Sequence, residues 1–360
     1  MESFAGRLAV VTGGGSGMGR ELVRQLATAG CSVATCDVNQ ETVAQTAALA
    51  GAEATGGARV TGHWCDVSDE SQVLRFRDEP LDAHARDHVD LVVSNTGIGG
   101  GGSFVNSPRQ EWERTFAVDW HGVYVCARVF LPLLIASGDG VLVNTSSLNG
   151  LWATLGPGMP NTAYAAAKFA VRGFTEALIE ELRTNAPQVR VAVVLPGQVG
   201  TDILANTRRA HGYPGPEDMT DSQVEETREF LVGLSLVAPD ASAAEVRRTV
   251  VRLEAEGKDR ALLSAAEAAA IILDGVRSGQ WRIIVGKDAA FVDERVRSSP
   301  ESAYDYASLF ADLPADLLGG AKDLPEEIKD QLPDWVRDQL PDGLRGRPST
   351  SATSGGILVG

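Results

Sequence analysis

The chain has 360 residues, of which 44% are hydrophobic, and a formal net charge of −16 at pH 7. Such an acidic chain is not expected to bind nucleic acid or an anionic membrane, and no apolar run approaches the roughly 18 residues of a membrane-spanning helix. The N-terminus lacks the basic and apolar segments of a secretory signal, and the four cysteines show neither metal-ligand spacing nor a disulfide framework. We therefore expect a cytoplasmic protein with reduced thiols, without a metal site and without a nucleic-acid or membrane partner.

The first predicted strand leads directly into a glycine-rich turn. Arg7–Thr12 is a short apolar run, and it is followed by Gly-Gly-Gly-Ser-Gly-Met-Gly and a helical pattern over Leu22–Ala27. This order lets the backbone approach a pyrophosphate, which also meets free N–H groups at the helix N-terminus. A flexible glycine loop is the alternative. We predict a dinucleotide site that includes Gly13, Ser16, Gly17, Met18 and Gly19.

The second predicted strand, Ser32–Asp37, ends on an acidic residue about twenty positions beyond the glycines, where a dinucleotide fold places a carboxylate against the adenosine ribose hydroxyls. A carboxylate there also repels a 2′-phosphate. No Lys or Arg follows at Val38 or Asn39, and Ser16 is neutral. Asp37 therefore favours NAD over NADP as the cofactor, with an ordinary surface aspartate as the alternative.

Further apolar runs alternate with helical patterns along the chain. Strands are predicted at Val60–Cys65, Asp90–Ser94, Val141–Ser146, Val189–Leu195 and Gln280–Val285, and long helices at Pro108–Leu134 and Thr162–Arg183. This alternation is typical of an α/β fold, a Rossmann-like doubly wound parallel sheet with helices on both faces. We predict one such domain over residues 1–290 and a C-terminal extension over residues 291–360.

Two residues of the second long helix form a candidate acid/base pair. Tyr164 and Lys168 are four residues apart, so they share one face of the helix. A free tyrosine has a pKa of about 10, which is too high for proton transfer at neutral pH, and a nearby ammonium favours the phenolate. We therefore expect Lys168 to lower the pKa of Tyr164 and the pair to carry out general acid/base chemistry.

Together these motifs resemble the short-chain dehydrogenase/reductase family. The resemblance covers residues 5–290 and rests on Thr12–Gly19, Asp66–Val67, Ser94–Gly97, Ser147, Tyr164 with Lys168, and Pro196–Thr201. It implies that Tyr164 exchanges a proton with the substrate, that Lys168 binds the nicotinamide ribose, and that Ser147 hydrogen-bonds the substrate oxygen. It also implies that the cofactor contacts Asp66, Val67, Asn95, Gly97, Tyr164, Lys168, Pro196, Gly197, Val199 and Thr201. We further predict substrate contacts at Asn149, Trp152 and Gln198.

The chain departs from the family pattern in two places. Asp119 stands in the long central helix where the family usually has the asparagine of a proton relay, so we expect a buried carboxylate with either a charge or a raised pKa. The span from Ser147 to Tyr164 is also longer than usual. Its additional residues, near Gly156–Pro160 and Trp152, either wall the substrate pocket or form a surface insertion.

Two further segments are predicted to lie outside the sheet. The resemblance implies that residues 202–260 form a lid over the substrate. Beyond it, eight-residue repeats begin at Leu324, Leu332 and Leu340, each with a proline and an acidic residue that suit the first turn of a short helix. We expect these repeats to lie along the enzyme's own surface or a neighbouring subunit, and part of the extension to be mobile.

The resemblance implies a homodimer or homotetramer that transfers a hydride between a nicotinamide cofactor, NAD(H) by Asp37, and a secondary alcohol or ketone. The apolar residues of the insertion and of the predicted lid indicate a substrate with an apolar body. A catalytically idle NAD-binding scaffold, with the tail as an interaction arm, is the alternative. The complete set of Ser147, Tyr164 and Lys168 counts against it, because a scaffold needs none of the three.

Overall fold

The computed structural model describes residues 1–155, 159–234 and 236–305, with residues 309, 314 and 317. The eight-residue repeats and the centre of the predicted insertion, residues 156–158, lie outside the described residues. The chain forms two compact units. The larger contains residues 1–215 and 253–300, and the smaller contains residues 216–252 with the described residues from Glu301 on. The predicted lid over residues 202–260 is divided between them, and its role as a lid stays a prediction.

The larger unit is built on a seven-stranded sheet in which every neighbouring pair of strands is parallel, in the order β3-β2-β1-β4-β5-β6-β9. A separate pair, β7 and β8, is also parallel. The strands are β1 Leu8–Thr12, β2 Ser32–Asp37, β3 Val60–Trp64, β4 Leu91–Ser94, β5 Gly140–Thr145, β6 Val189–Pro196, β7 Val199–Gly200, β8 Leu263–Ser264 and β9 Arg282–Val285. The predicted Rossmann-like α/β fold is confirmed.

Helices connect the strands. They are α1 Gly17–Thr28, α2 Gln40–Glu53, α3 Glu70–His84, α4 Arg109–Phe116, α5 Gly122–Ala136, α6 Thr162–Asn185, α7 Ile203–Ala210, α8 Asp221–Gly233, α9 Ala243–Asp259, α10 Ala265–Arg277 and α11 Lys287–Ser298. Three of them, α2, α7 and α11, were not predicted individually. Helix α11 continues past the predicted domain end at residue 290.

The central strand β1 shows why the sheet needs helices on both faces. All five of its residues are buried. Because successive side chains of a strand point to opposite faces, Ala9 and Val11 enter one apolar cluster while Leu8 and Val10 enter the other. A strand covered on both faces reads as a continuous apolar run, which is the pattern that predicted it.

The long central helix is one helical run, Arg109–Ala136, in which a π-helical turn, Ala117–His121, separates α4 from α5. Such turns occur often at functional sites, and this one carries Asp119. By length and composition alone the run could cross a membrane, but 56% of its apolar window is buried inside the protein. A helix of the protein core has the same composition, and eight of the fifteen residues of α5 are buried.

The order of the strands along the sheet reverses direction at β1. β1 pairs with β2 on one side and with β4 on the other, so the loops after β1 and β4 leave the sheet in different directions. In open α/β sheets this reversal opens a crevice at the carboxyl ends of the strands. Most of the predicted site residues follow strands at that edge, whereas Asp119, Tyr164 and Lys168 lie on helical segments.

Candidate active site

A cleft of about 560 Å³ lies at the carboxyl ends of the strands, within the volume range of small-molecule sites. It brings together most of the predicted site residues, namely Gly13, Ser16, Gly17, Met18, Asp37, Asn95, Gly97, Ser147, Tyr164, Lys168, Pro196, Gly197, Val199 and Thr201. All of these belong to the larger unit. The remaining predicted residues, Gly19, Asp66, Val67, Asp119, Asn149, Trp152 and Gln198, lie behind or beside this lining.

The turn after β1 has the close packing that only glycine allows. A Cβ atom on Gly15 would lie 2.7 Å from Oδ2 of Asp37, and one on Gly13 would lie 2.9 Å from Cα of Thr96. Gly13 also has a φ of 69°, a left-handed conformation that glycine adopts without strain. On Gly19 a Cβ would come within 2.0 Å of the Gly13 carbonyl oxygen, so α1 packs directly against the turn. A tight turn and close packing of the following helix are two of the roles that glycines have in a dinucleotide-binding turn.

Asp37 ends β2 beside this turn and fits a ribose. Its Oδ2 accepts a hydrogen bond from the Gly15 N–H at 3.0 Å, and its Oδ1 accepts one from the Asn39 N–H at 2.9 Å. Because each carboxylate oxygen can accept a second hydrogen bond, both remain able to receive ribose hydroxyls. Nearby, Asn95 Oδ1 and Thr96 Oγ1 are buried without a partner among the described residues, so a bound ligand could satisfy them.

The candidate catalytic residues come from three elements. Ser147 follows β5, Tyr164 and Lys168 lie on α6, and Asp119 lies on the π-helical turn. The Ser147 side chain lies close enough to the Tyr164 hydroxyl to lower its pKa, and the Ser147 Oγ accepts a hydrogen bond from the Asn149 N–H at 3.1 Å. The Lys168 Nζ lies 5.3 Å from the centroid of the Tyr164 ring, and it donates a hydrogen bond to the Thr145 carbonyl at 3.3 Å. The structure thus brings the predicted acid/base pair and the serine together.

The pKa of Tyr164 is raised above its usual value, which corrects the expectation of a lowered one. Burial of the phenol is the largest cause, and the carboxylate of Asp119 also raises the pKa. The Lys168 ammonium and the Ser147 hydrogen bond lower it, as expected, but they do not outweigh the burial. The helical spacing of Tyr164 and Lys168 predicts the effect of the lysine, but burial and the approach of Asp119 depend on the folded chain.

Asp119 is fully buried against Lys168. Its Oδ2 lies 3.4 Å from the Lys168 Nζ. Burial raises the pKa of Asp119 above its usual value, although Lys168 and the Ile98 N–H oppose the shift. Burial would lower the pKa of Lys168, yet Asp119 and Tyr164 together raise it. The expected buried carboxylate is therefore present, and it forms an ion pair with the lysine.

Asp119 also holds the turn that follows β4. Its Oδ1 accepts a hydrogen bond from the Ile98 N–H at 2.8 Å. In the same turn the Asn95 side chain donates to the Thr12 carbonyl at 3.2 Å. A Cβ on Gly97 would lie 3.2 Å from the Lys168 Nζ, so the absence of a side chain gives the lysine room.

The Asp66-Val67 pair lies behind the cleft. The Asp66 carboxylate forms an ion pair with Arg114 at 2.9 Å, and Arg114 itself lines the cleft. Burial would raise the pKa of Asp66, but hydrogen bonds from Ser68 and from Arg114 outweigh it and lower the pKa. Val67 is buried and packs against Gly122, where a Cβ would come within 2.7 Å of its side chain.

The three predicted substrate residues do not line the cleft. Asn149 is buried, and its amide donates to the carbonyls of Trp152 at 2.9 Å and Thr154 at 3.0 Å, so it fixes the loop that follows Ser147. Trp152 is only 6% exposed. Gln198 is exposed, and its backbone N–H donates to Oδ2 of Asp288 at 2.6 Å. Their contact with a substrate stays a prediction.

Several residues of this region were not predicted. On α7, the side chains that line the cleft are Ile203, Asn206, Arg209 and Ala210. On α11, the Asp288 carboxylate packs on Gly197, where a Cβ would come within 2.2 Å of both of its oxygens. The helical spacing of residues 203–210 after Thr201 could have indicated α7, but the segment is short. Nothing in the sequence pairs Asp288 with Gly197, because they are far apart in the chain.

Comparison with known proteins gives the family. The model of the short chain dehydrogenase family matches residues 7–212. Oxidoreductase SadH of Mycobacterium tuberculosis is 38% identical over 299 residues, which cover 82% of this chain and 92% of the relative. Mouse epidermal retinol dehydrogenase 2 is 34% identical over 204 residues, or 56% of this chain and 63% of the relative. A 3alpha-hydroxysteroid dehydrogenase of Mediterraneibacter gnavus is 30% identical over 200 residues, or 55% and 76%.

Solved structures agree with this result. A short-chain dehydrogenase/reductase from Burkholderia phymatum, solved in complex with NAD, has a TM-score of 0.65 and 27% identity over 84% of this chain and 96% of its own. Levodione reductase has a TM-score of 0.58 at 23% identity, covering 80% of this chain and 99% of its own, which is a likeness of fold. The family match spans more than half of the chain, and the SadH alignment covers most of both proteins. The chain therefore belongs to the short-chain dehydrogenase/reductase family of oxidoreductases, which use a nicotinamide cofactor.

Proposed function

We propose that this oxidoreductase transfers a hydride between NAD(H) and a secondary alcohol or ketone with an apolar body. The observation that carries the proposal is one cleft that contains both Asp37 and the group of Ser147, Tyr164 and Lys168. The first suits an unphosphorylated adenosine ribose, and the others suit proton transfer to or from a substrate oxygen. A scaffold that only binds the cofactor would need no such group.

The chain's own residues supply the acid/base chemistry. In the direction of oxidation, the Tyr164 phenolate takes the proton of the substrate hydroxyl. The Ser147 hydroxyl, which lies beside Tyr164, turns its single hydrogen to the same substrate oxygen and stabilises the developing negative charge there. The Lys168 ammonium, held between Asp119 and the Thr145 carbonyl, stabilises the phenolate. NAD, when bound, accepts the hydride from the substrate carbon.

NAD is proposed over NADP because of the surroundings of Asp37. A 2′-phosphate would lie against a carboxylate that already accepts two backbone hydrogen bonds and so is held in place. Two of the cleft's three basic residues are already paired, Arg114 with Asp66 and Lys168 with Asp119. The NAD complex of the Burkholderia phymatum relative supports the same choice.

An apolar substrate is proposed from the cleft lining and from the relatives. Ile98, Ile203 and Ala210 contribute apolar surface to the cleft. The names of two relatives refer to retinol and to a 3α-hydroxysteroid, which are alcohols on large apolar bodies. Of the three basic residues of the cleft, Arg114 and Lys168 have carboxylate partners of their own and offer little to a phosphorylated substrate.

The test is a substrate panel assayed through NADH absorbance in both directions. Apolar secondary alcohols and their ketones are compared with phosphorylated sugars and with acyl chains on a carrier protein. We expect turnover with members of the first group. Turnover confined to the second or third group would contradict the proposal, as would tight NADH binding without turnover of any substrate.

We also propose that the enzyme is a cytoplasmic homodimer or homotetramer that pairs through α5 and α6. Tyr124 and Phe169 are each 39% exposed on these helices. Beside them, the rings of Trp120 and Phe174 contact each other edge to face at 5.4 Å. An exposed aromatic surface of this kind is typical of a protein interface. Light scattering would give the mass, and a monomer would contradict the proposal.

A further inference from the structure

Helix α7 contacts the glycine turn at two points. The Asn206 Nδ2 donates a hydrogen bond to the Ser16 Oγ at 3.1 Å. Just before the helix, Thr201 packs on Gly17, where a Cβ would lie 3.0 Å from its Cγ2. The turn receives a pyrophosphate in dinucleotide folds. The face of α7 that carries Asn206 therefore lies beside the expected position of the cofactor's diphosphate.

Arg209 lies three residues after Asn206 on this face and lines the cleft. Its guanidinium donates to the Asn206 Oδ1 at 2.7 Å and, through Nε, to the Ala205 carbonyl at 3.1 Å. The side chain is exposed. Within the part of the chain that the structure describes, it has no carboxylate partner, whereas the other basic residues of the cleft, Arg114 and Lys168, are each paired with an aspartate.

We propose that Arg209 binds the diphosphate of the dinucleotide and that Asn206 orients its guanidinium. This inference rests on the proposed function, since it takes the cleft to be the NAD(H) site. A hydrogen-bond chain from Arg209 through Asn206 to Ser16 links the cation to the turn that the diphosphate contacts. The guanidinium keeps N–H groups free, because the two bonds that it makes use only part of its five donors.

The negative net charge of the chain explains why an unpaired cation such as Arg209 would help to bind the cofactor. A net charge of −16 repels a dinucleotide, whose diphosphate carries two negative charges. The N–H groups of the glycine turn are neutral, and the cleft's other cations are already compensated. An arginine fork presents two parallel N–H groups to two diphosphate oxygens, whereas a lysine is a point charge without this fixed geometry. Arg209 is therefore suited to hold the diphosphate while α7 covers the glycine turn.

The experiment measures ligand affinity with the full-length protein, using NADH fluorescence and calorimetry. The probes are NADH, ADP-ribose and adenosine, of which only the first two contain a diphosphate. The variants are Arg209→Gln and Arg209→Lys. The matched control is Arg59→Gln, which makes the same change of charge at an exposed arginine next to the amino end of β3, across the sheet from the cleft. Thermal melting checks that every variant is folded.

We expect Arg209→Gln to weaken the binding of NADH and of ADP-ribose about tenfold, which is the loss typical of one charge-assisted hydrogen-bonding group. The affinity for adenosine should stay unchanged. Arg209→Lys should lose less affinity for these two ligands, and Arg59→Gln should bind them as the wild type does. The salt dependence of NADH binding should also be shallower in Arg209→Gln. Wild-type affinity of Arg209→Gln for NADH, or an equal loss on adenosine, would overturn the inference and leave the proposed function standing. A wild-type protein that binds no NADH would overturn both.

Discussion

The Lys168 Nζ and the Asp119 Oδ2 lie 3.4 Å apart, and the two side chains are 3% and 0% exposed. This buried ion pair lies next to the candidate catalytic tyrosine. A family member with the usual asparagine in place of Asp119 cannot form it. Breaking such a pair on one side leaves an uncompensated charge, so the pair constrains both residues. Asp119 does not line the cleft, and it raises the pKa of Tyr164 by its charge.

Replacing Asp119 by Asn tests this coupling. The charged or titratable groups that act on Tyr164 from its surroundings are Lys168 and Asp119, with Ser147 as a hydrogen-bond partner. Since the Asp119 carboxylate raises the pKa of Tyr164, its removal should lower that pKa. Oxidation requires the phenolate, so the pH profile of alcohol oxidation should move to lower pH, with most activity retained at the optimum.

The measurement is the rate of oxidation against pH for both proteins, with melting temperature as the check on folding. An unchanged pH profile would mean that the carboxylate has no influence on the tyrosine. A folded but inactive variant would give Asp119 a direct role in the reaction that its position behind Lys168 does not suggest.

Cofactor choice depends on Asp37. We expect kcat/KM for NAD to exceed that for NADP by at least about tenfold, which corresponds to about 1.4 kcal/mol in transition-state stabilisation. Asp37→Ser should reduce this preference, because the carboxylate that repels a 2′-phosphate is gone. The melting temperature should fall little, since the lost bonds to Gly15 and Asn39 are near the surface. Equal efficiency of the wild-type enzyme with both cofactors would refute the assignment.

Gly97 and Gly99, both in the loop after β4, differ in the room that they leave for a side chain. A Cβ at Gly97 would lie 3.2 Å from the Lys168 Nζ, which cannot retreat because Asp119 and the Thr145 carbonyl hold it. A Cβ at Gly99 would lie 3.4 Å from the flexible Thr207 side chain, an ordinary contact.

Gly97→Ala should therefore lower kcat by about tenfold or more through displacement of the lysine, while Gly99→Ala should keep most activity. Steady-state kinetics at saturating cofactor compares the two variants. Equal activities would show that Lys168 has more freedom than its contacts indicate.

The sequence predicted the sheet because its strands carry strong local signals. Four of the five residues of β1 are apolar, since both of its faces are covered, and a glycine-rich turn that leads into α1 follows it directly. The residues that line the cleft after β1, β2, β4, β5 and β6 were predictable for the same reason. They follow strands, and parallel strands deliver their carboxyl ends to one edge.

The features that were missed depend on contacts between distant parts of the chain. The pKa of Tyr164 is set by burial and by Asp119, which lies on another helix. Asp288 packs on Gly197 from α11, a helix that carries no family motif. The place of Asn149 shortly after Ser147 predicts a contact with the substrate, yet its amide donates hydrogen bonds to carbonyls of the following loop. Local patterns do not contain this information.

The proposed function gives Tyr164 the proton transfer in an NAD(H)-dependent reaction, and Tyr164→Phe tests that role. The change removes one hydroxyl and keeps the half-buried ring beside Lys168. Turnover of the best substrate and the Kd for NADH are measured on the same preparation, with Ser147→Ala as a companion variant. We expect Tyr164→Phe to lose nearly all turnover while it binds NADH almost as the wild type does. Substantial turnover by the folded Tyr164→Phe enzyme would contradict the role of Tyr164.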